Sequence, residues 1–235
     1  HQLHALDIGS GAEKLGGPVV IKGSVKGTGD GNDGAGKVPF NSKIQNNRSA
    51  LLLVGGQVVI VWASHGDQGP YHGWVTSYDA TTLKQKYIFN ISPNGVTNGY
   101  PLAAGGIWMG GAGPAADTAG NVFFVTGNGH FDLTGSNKPA YGDSIMRLDA
   151  VAGGGFKIGD YFTPANQQGL NNADADLGSG GILLLPNAVG SYTHPQLAVA
   201  VGKDGVVRLI DRKLMGRFDP YYDTNVQDYW GVGGV

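Results

Sequence analysis

The sequence contains no cysteine, which excludes disulfides, thiol catalysis and cysteine-ligated zinc. Glutamate is nearly absent as well: of 18 acidic residues all but Glu13 are aspartate. Aspartate suits turns and caps whereas glutamate suits helix surfaces, so this skew argues against helices. Charge of either sign is scarce, at 14% of residues against about 25% in average soluble domains. With a net charge of −2 and no basic run, nucleic acid is not an expected partner, and anionic membrane surfaces are disfavoured. Long apolar runs are missing too. The longest, Ala50–Val54, Val58–Ala63 and Ile182–Leu185, fall far short of the ~20 residues that span a bilayer. The first residue is His1 rather than Met, which leaves room for a removed leader and an extracellular or periplasmic address.

What the sequence has in abundance is glycine, 42 of 235 residues, without a collagen period. Since 41% of residues are hydrophobic, the chain can build a core, and an all-β protein rich in tight turns is expected. A phrase ending in aspartate recurs: Leu3–Asp7, Trp74–Asp79, Ser144–Asp149 and Val206–Asp211, the aspartates lying 72, 70 and 62 residues apart. Each is followed by a turn-rich stretch, and in two copies by an extended segment, Lys84–Phe89 and Phe156–Phe162. Upstream of three copies stands an apolar hairpin: Leu51–Val54 with Val58–Trp62, Ala112–Ala116 with Asn121–Thr126, and Gly181–Leu185 with Gln196–Val201. A recurring unit of four short strands is the pattern of a β-propeller blade, with an ordinary sandwich as the alternative. The reading is a propeller of four-stranded antiparallel blades, of which this chain holds about three and a half. It divides into a partial blade over 1–22, a loop over 23–49, and blades near 50–89, 105–163 and 179–218. A further unit starts at 219–235, and the remaining blades are expected from the same longer chain.

Loops at one end of a propeller channel converge, so residues just after inner strands can meet. Asp67 stands in a polar loop, Ala63–Gly73, which otherwise reads as a hydrogen-bonded interstrand connection. Trp108, among glycines and small residues, suits a flat ligand or the core. Asn128 and Asp143 sit at successive strand ends, fit for one hard cation such as Ca²⁺ or simply for turns. Lys203 follows a strand that runs into the Asp204-Gly205 turn, where a lysine is ordinarily solvated.

As a set these residues resemble the quinoprotein propellers, the pyrroloquinoline quinone-dependent alcohol dehydrogenases, over 58–79, 105–149 and 174–212. Ser64-His65-Gly66-Asp67 followed by Gly73–Asp79 is similar to the segment whose acid binds the metal, with aspartate here for the usual glutamate and one extra residue. Gly105-Gly106-Ile107-Trp108 resembles the segment whose Trp stacks on the quinone, and Thr126-Gly127-Asn128 the one giving an Asn ligand. Gly142-Asp143-Ser144 looks like the segment of the catalytic base, and Lys203 falls where a basic residue reaches the quinone oxygens. Asp174-Ala175-Asp176 stands where that family has Trp-Asp-x-Asp, without the Trp; its paired cysteines are absent. The resemblance thus implies metal ligands Asp67, Asn128 and Asp143, quinone contacts from Trp108, Lys203 and Ser64, and Asp143 as base. The activity it implies is oxidation of an alcohol or sugar hydroxyl with Ca²⁺ and the quinone. The alternative is a non-catalytic secreted propeller that binds a protein or glycan.

Overall fold

A computed structural model describes residues 1–96, 105–223 and 226–232 of the chain. The repeat appears as three antiparallel meanders of four strands each. The first runs Leu52–Val54, Gln57–Ser64, Trp74–Asp79 and Gln85–Asn90. The second runs Ala115–Ala116, Val122–Val125, Ile145–Ala150 and Phe156–Thr163. The third runs Ile182–Leu184, Leu197–Val201, Val206–Asp211 and Val226–Gly231. The last strand lies beyond the 179–218 span read from the sequence. Arg217–Phe218 instead pairs in parallel with Phe162–Thr163 of the second sheet and so ties the two sheets together. Of the 219–235 segment, 224–225 and 233–235 fall outside the described residues.

Ahead of the first sheet, Gln2–Leu3 pairs with Val19–Val20, and Ser24–Lys26 with Lys37–Pro39. Gln45–Asn46 adds to the end of the long strand at Ser64 and Ala63.

The central strands of the first two sheets are apolar at nearly every position because both faces are covered, whereas the third sheet leaves Leu183, Tyr229 and Trp230 exposed. Alternate side chains of a strand point to opposite sides. Val59, Val61 and Val75 therefore join the large core that includes Phe123, Phe124, Leu148 and Ile182. Their neighbours Ile60, Trp62, Trp74 and Tyr78 face the other way, onto Leu3, Ile21, Val38 and Phe40. Sheets stacked face to face in series are the architecture of a partial β-propeller.

The recurring aspartate is a turn device. Asp79 accepts hydrogen bonds from the Thr81 and Thr82 N–H groups and hydroxyls at 2.7–3.0 Å, which hold its carboxyl down at about 2, the Thr81 hydroxyl contributing most. Asp7 is held low in the same way, first by the Ser10 hydroxyl. Asp149 departs from the pattern and accepts from Arg147 Nε at 2.8 Å.

Among the described residues a short α-helix, Gln167–Asn172, and a 3-10 turn, Leu177–Ser179, lie between the second and third sheets.

Candidate functional site

The segment that follows Gly105 stitches the sheets together at one end. Gly105 N–H donates to the Asn128 carbonyl and Ile107 N–H to that of Trp62, and Met109 N–H donates to that of Gly178. Gly106 accepts from Gly127 N–H at 2.8 Å. Residues from all three sheets are thus drawn around Trp108. Small residues are required here: a Cβ on Gly127 would fall on Asp176 Oδ1 and lie 2.7 Å from Trp108 Cδ1.

Trp108 is buried to 8% exposure, meets Tyr71 edge-on at 5.9 Å, and carries the Arg48 guanidinium 5.6 Å from its ring centre. A cleft of about 250 Å³ opens beside it, lined by Arg48, Asp67, Trp108, Asp176, Ser179 and Lys203 among others. Three residues singled out in the sequence, 67, 108 and 203, therefore share one cleft. Asp67 is exposed and accepts from Tyr71 Oη at 3.1 Å. Burial, and then the Asp67 charge, raise the Tyr71 hydroxyl far above its usual range.

Asp176 organises the wall of the cleft. Its Oδ1 accepts from Asn128 N–H at 2.9 Å and its Oδ2 pairs with Lys203 Nζ at 2.6 Å. Lys203 also donates to the Asp174 carbonyl at 3.0 Å and to its carboxylate at 3.3 Å. Burial works against the charge of Lys203, but the bonds to Asp176 and Asp174 outweigh it and raise its pKa. The Asp174 side chain is 73% exposed, so its share of Lys203 is weak and readily exchanged.

Asn128 is buried; its Nδ2 donates to Asp174 Oδ1 at 2.6 Å, and its Oδ1 has no partner. Asp143 is fully buried, and neither it nor Asn128 is among the cleft walls. Asp143 Oδ1 accepts from Leu177 N–H at 3.1 Å and its Oδ2 from Gln167 Nε2 at 3.4 Å. Burial chiefly, and Asp176 after the opposing Leu177 bond, push the Asp143 carboxyl up to about 8. Ser64 is buried with an unpartnered Oγ on the strand whose Ala63 packs with Tyr71 and Trp108; it is not among the cleft walls.

Asp67, Met109, Asp143 and Asp174 all take left-handed backbone at φ of 38–55°, which non-glycine residues seldom adopt. Of these only Asp67 lines the cleft, and Leu15, Leu83 and Arg217 take the same conformation elsewhere.

The residues suit a cation and a planar anion on three observations. The buried Asn128 Oδ1 lacks a donor, as a cation ligand would. Two cationic side chains, Arg48 and Lys203, border the cleft, and the Trp108 ring provides a flat wall. Among the described residues no three His, Asp or Glu side chains stand close enough to hold a metal by themselves. Arg48, Tyr71 and Gln167 escaped the sequence reading, whereas the Asp174-Ala175-Asp176 pattern was visible there without a role.

No protein-family model and no curated protein sequence matches this chain. Solved structures do. A quinohemoprotein alcohol dehydrogenase from Pseudomonas putida HK5 superposes with a TM-score of 0.60 and 17% identity, over 98% of this chain and 32% of that one. A europium-containing methanol dehydrogenase gives a TM-score of 0.53 and 14% identity, over 80% of this chain and 34% of that one. The chain thus spans about a third of the length of these structures. Identity this low speaks for the fold, a β-propeller, and for nothing finer.

Proposed function

We propose that this chain is part of a quinoprotein-like propeller, exported from the cytoplasm, that oxidises an alcohol or sugar hydroxyl. The observation that carries the reading is the meeting of Asp67, Trp108 and Lys203, distant in sequence, on one cleft. The fold likeness to two alcohol-oxidising enzymes supports it, and the blades needed to complete the ring would come from the same longer protein. Pyrroloquinoline quinone, when bound, supplies a two-electron acceptor for the hydride of the alcohol carbon, with Ca²⁺ polarising its carbonyl.

The chain's own residues bind and orient. Trp108 offers a flat wall for the ring, while Arg48 and Lys203 hold anionic oxygens, Lys203 giving up its weak Asp174 contact. Ser64, buried and away from the cleft walls, is not placed to touch a quinone in that cleft. Asn128 Oδ1, Asp143 and Asp67 are the proposed cation ligands, with Asp176 fixing both Asn128 and Lys203. Asp143 would take the hydroxyl proton once a bound cation has drawn its carboxyl into the ionised form. A second reading, a non-catalytic propeller that binds a protein or glycan, draws on the Arg48 guanidinium already lying over Trp108. Calorimetric titration with pyrroloquinoline quinone, with and without Ca²⁺, separates the two. One-to-one binding that requires Ca²⁺ is expected. No heat at high micromolar quinone would leave only the scaffold.

A further inference from the structure

The third sheet carries a second site, which plays no part in that reading. Arg212 follows the strand Val206–Asp211 and is 9% exposed. Arginine is rarely buried this deeply without an acidic partner. The chain has five arginines. Arg208 is clamped by Asp204 at 2.6 Å, Arg147 bonds Asp149 at 2.8 Å, Arg217 lies 3.7 Å from Asp160, and Arg48 rests on Trp108. Arg212 has no such counterpart among the described residues. Its Nη2 donates to Asn187 Oδ1 at 3.0 Å, its buried Nε has no partner, and no carboxylate forms an ion pair with it.

The nearby acids are engaged elsewhere. Asp211 pairs with His194 Nδ1 and accepts from Lys213 N–H, both at 2.8 Å. Asp117 spends both oxygens on its own turn, accepting from Ala119 N–H, Asn121 N–H and Asn121 Nδ2 at 2.9–3.0 Å. An unneutralised buried guanidinium is costly, and an anion brought from outside would compensate it.

Space for one exists. Arg212 lines a cleft of about 640 Å³ between the second and third sheets, with Asn121, Asn187 and Gln196 as polar neighbours and Leu184, Leu185 and Pro186 as apolar wall. We propose that this cleft binds a small organic monocarboxylate, its head on the Arg212 fork and its hydrocarbon body on the leucine and proline wall. The apolar wall, and the charge of Asp117 which also lines the cleft, disfavour the doubly charged, tailless phosphate more than a monocarboxylate.

The test is a titration of the ¹⁵N-labelled protein with butyrate and, separately, with inorganic phosphate, following the arginine Nε–H signals. A saturable shift of the Arg212 signal with butyrate is expected, with phosphate at least about tenfold weaker. Arg212→Lys should weaken butyrate by about tenfold or more, since it keeps charge and loses the fork. An Arg212 signal unmoved by butyrate, equal affinity in Arg212→Lys, or a response to phosphate alone would each overturn the proposal. Should Arg212→Lys not fold, the wild-type signal decides. The quinone titration reads another cleft, so either idea can fail alone.

Discussion

Replacing Asp143 with Asn is expected to lower quinone-dependent alcohol oxidation by about a hundred- to ten-thousandfold, because the proposed proton acceptor loses its basicity. The fold should survive, since Asn keeps the shape and an oxygen to accept the Leu177 N–H. Stability supplies an independent readout. In the metal-free protein the carboxyl titrates near 8 when folded, whereas in the unfolded chain it titrates near 4. Its contribution to stability is therefore fully present below pH ~4 and is lost as pH rises towards ~8, a change on the order of 5 kcal/mol. Asp143→Asn cannot titrate, so its stability should vary less over that window and should gain on the wild type as pH rises. Urea midpoints at pH 5 and pH 8 measure this. Retained turnover would remove Asp143 from the chemistry, and parallel pH curves would contradict a neutral buried carboxyl.

The second large effect tests the architecture. Phe123 and Phe124 are consecutive in the strand Val122–Val125, point to opposite faces, and are both fully buried. In a stacked sheet neither face is open, so Phe123→Ala and Phe124→Ala should each cost about 3–5 kcal/mol. Against a total stability of about 5–15 kcal/mol, either loss is severe. The check is the urea midpoint of each variant. If either substitution costs less than about 1 kcal/mol, one face of the sheet is open to solvent and the stacking is wrong.

Much of the fold was legible because the strands are continuous apolar runs punctuated by glycine and aspartate. The hairpin around Gly55-Gly56 and the turn after Asp79 are local devices and form where the sequence places them. The third sheet was less legible. Its fourth strand comes only at Val226, after a long connection, while the nearer Arg217–Phe218 is captured by the second sheet. The helix at Gln167–Asn172 carries a glycine and two asparagines and has poor intrinsic propensity. Tertiary contacts hold it: Leu170 is buried and Gln167 Nε2 bonds the Gly129 carbonyl at 2.9 Å. In the cleft, Trp108, Asp67 and Lys203 stand in recognisable phrases. Arg48 stands in none, and only the packing of the chain brings it over Trp108, 60 residues away in sequence. The role of Asp176 was hidden for a similar reason: two of its partners, Asn128 and Lys203, lie 48 and 27 residues from it.

The most direct measurement is a crystal structure of the protein grown with pyrroloquinoline quinone and Ca²⁺. The account predicts the quinone ring against Trp108, its oxygens on Arg48 and Lys203, and an anomalous Ca²⁺ peak within ligand distance of Asn128 Oδ1. A quinone bound elsewhere, or a cation that leaves Asn128 Oδ1 unpartnered, would contradict it.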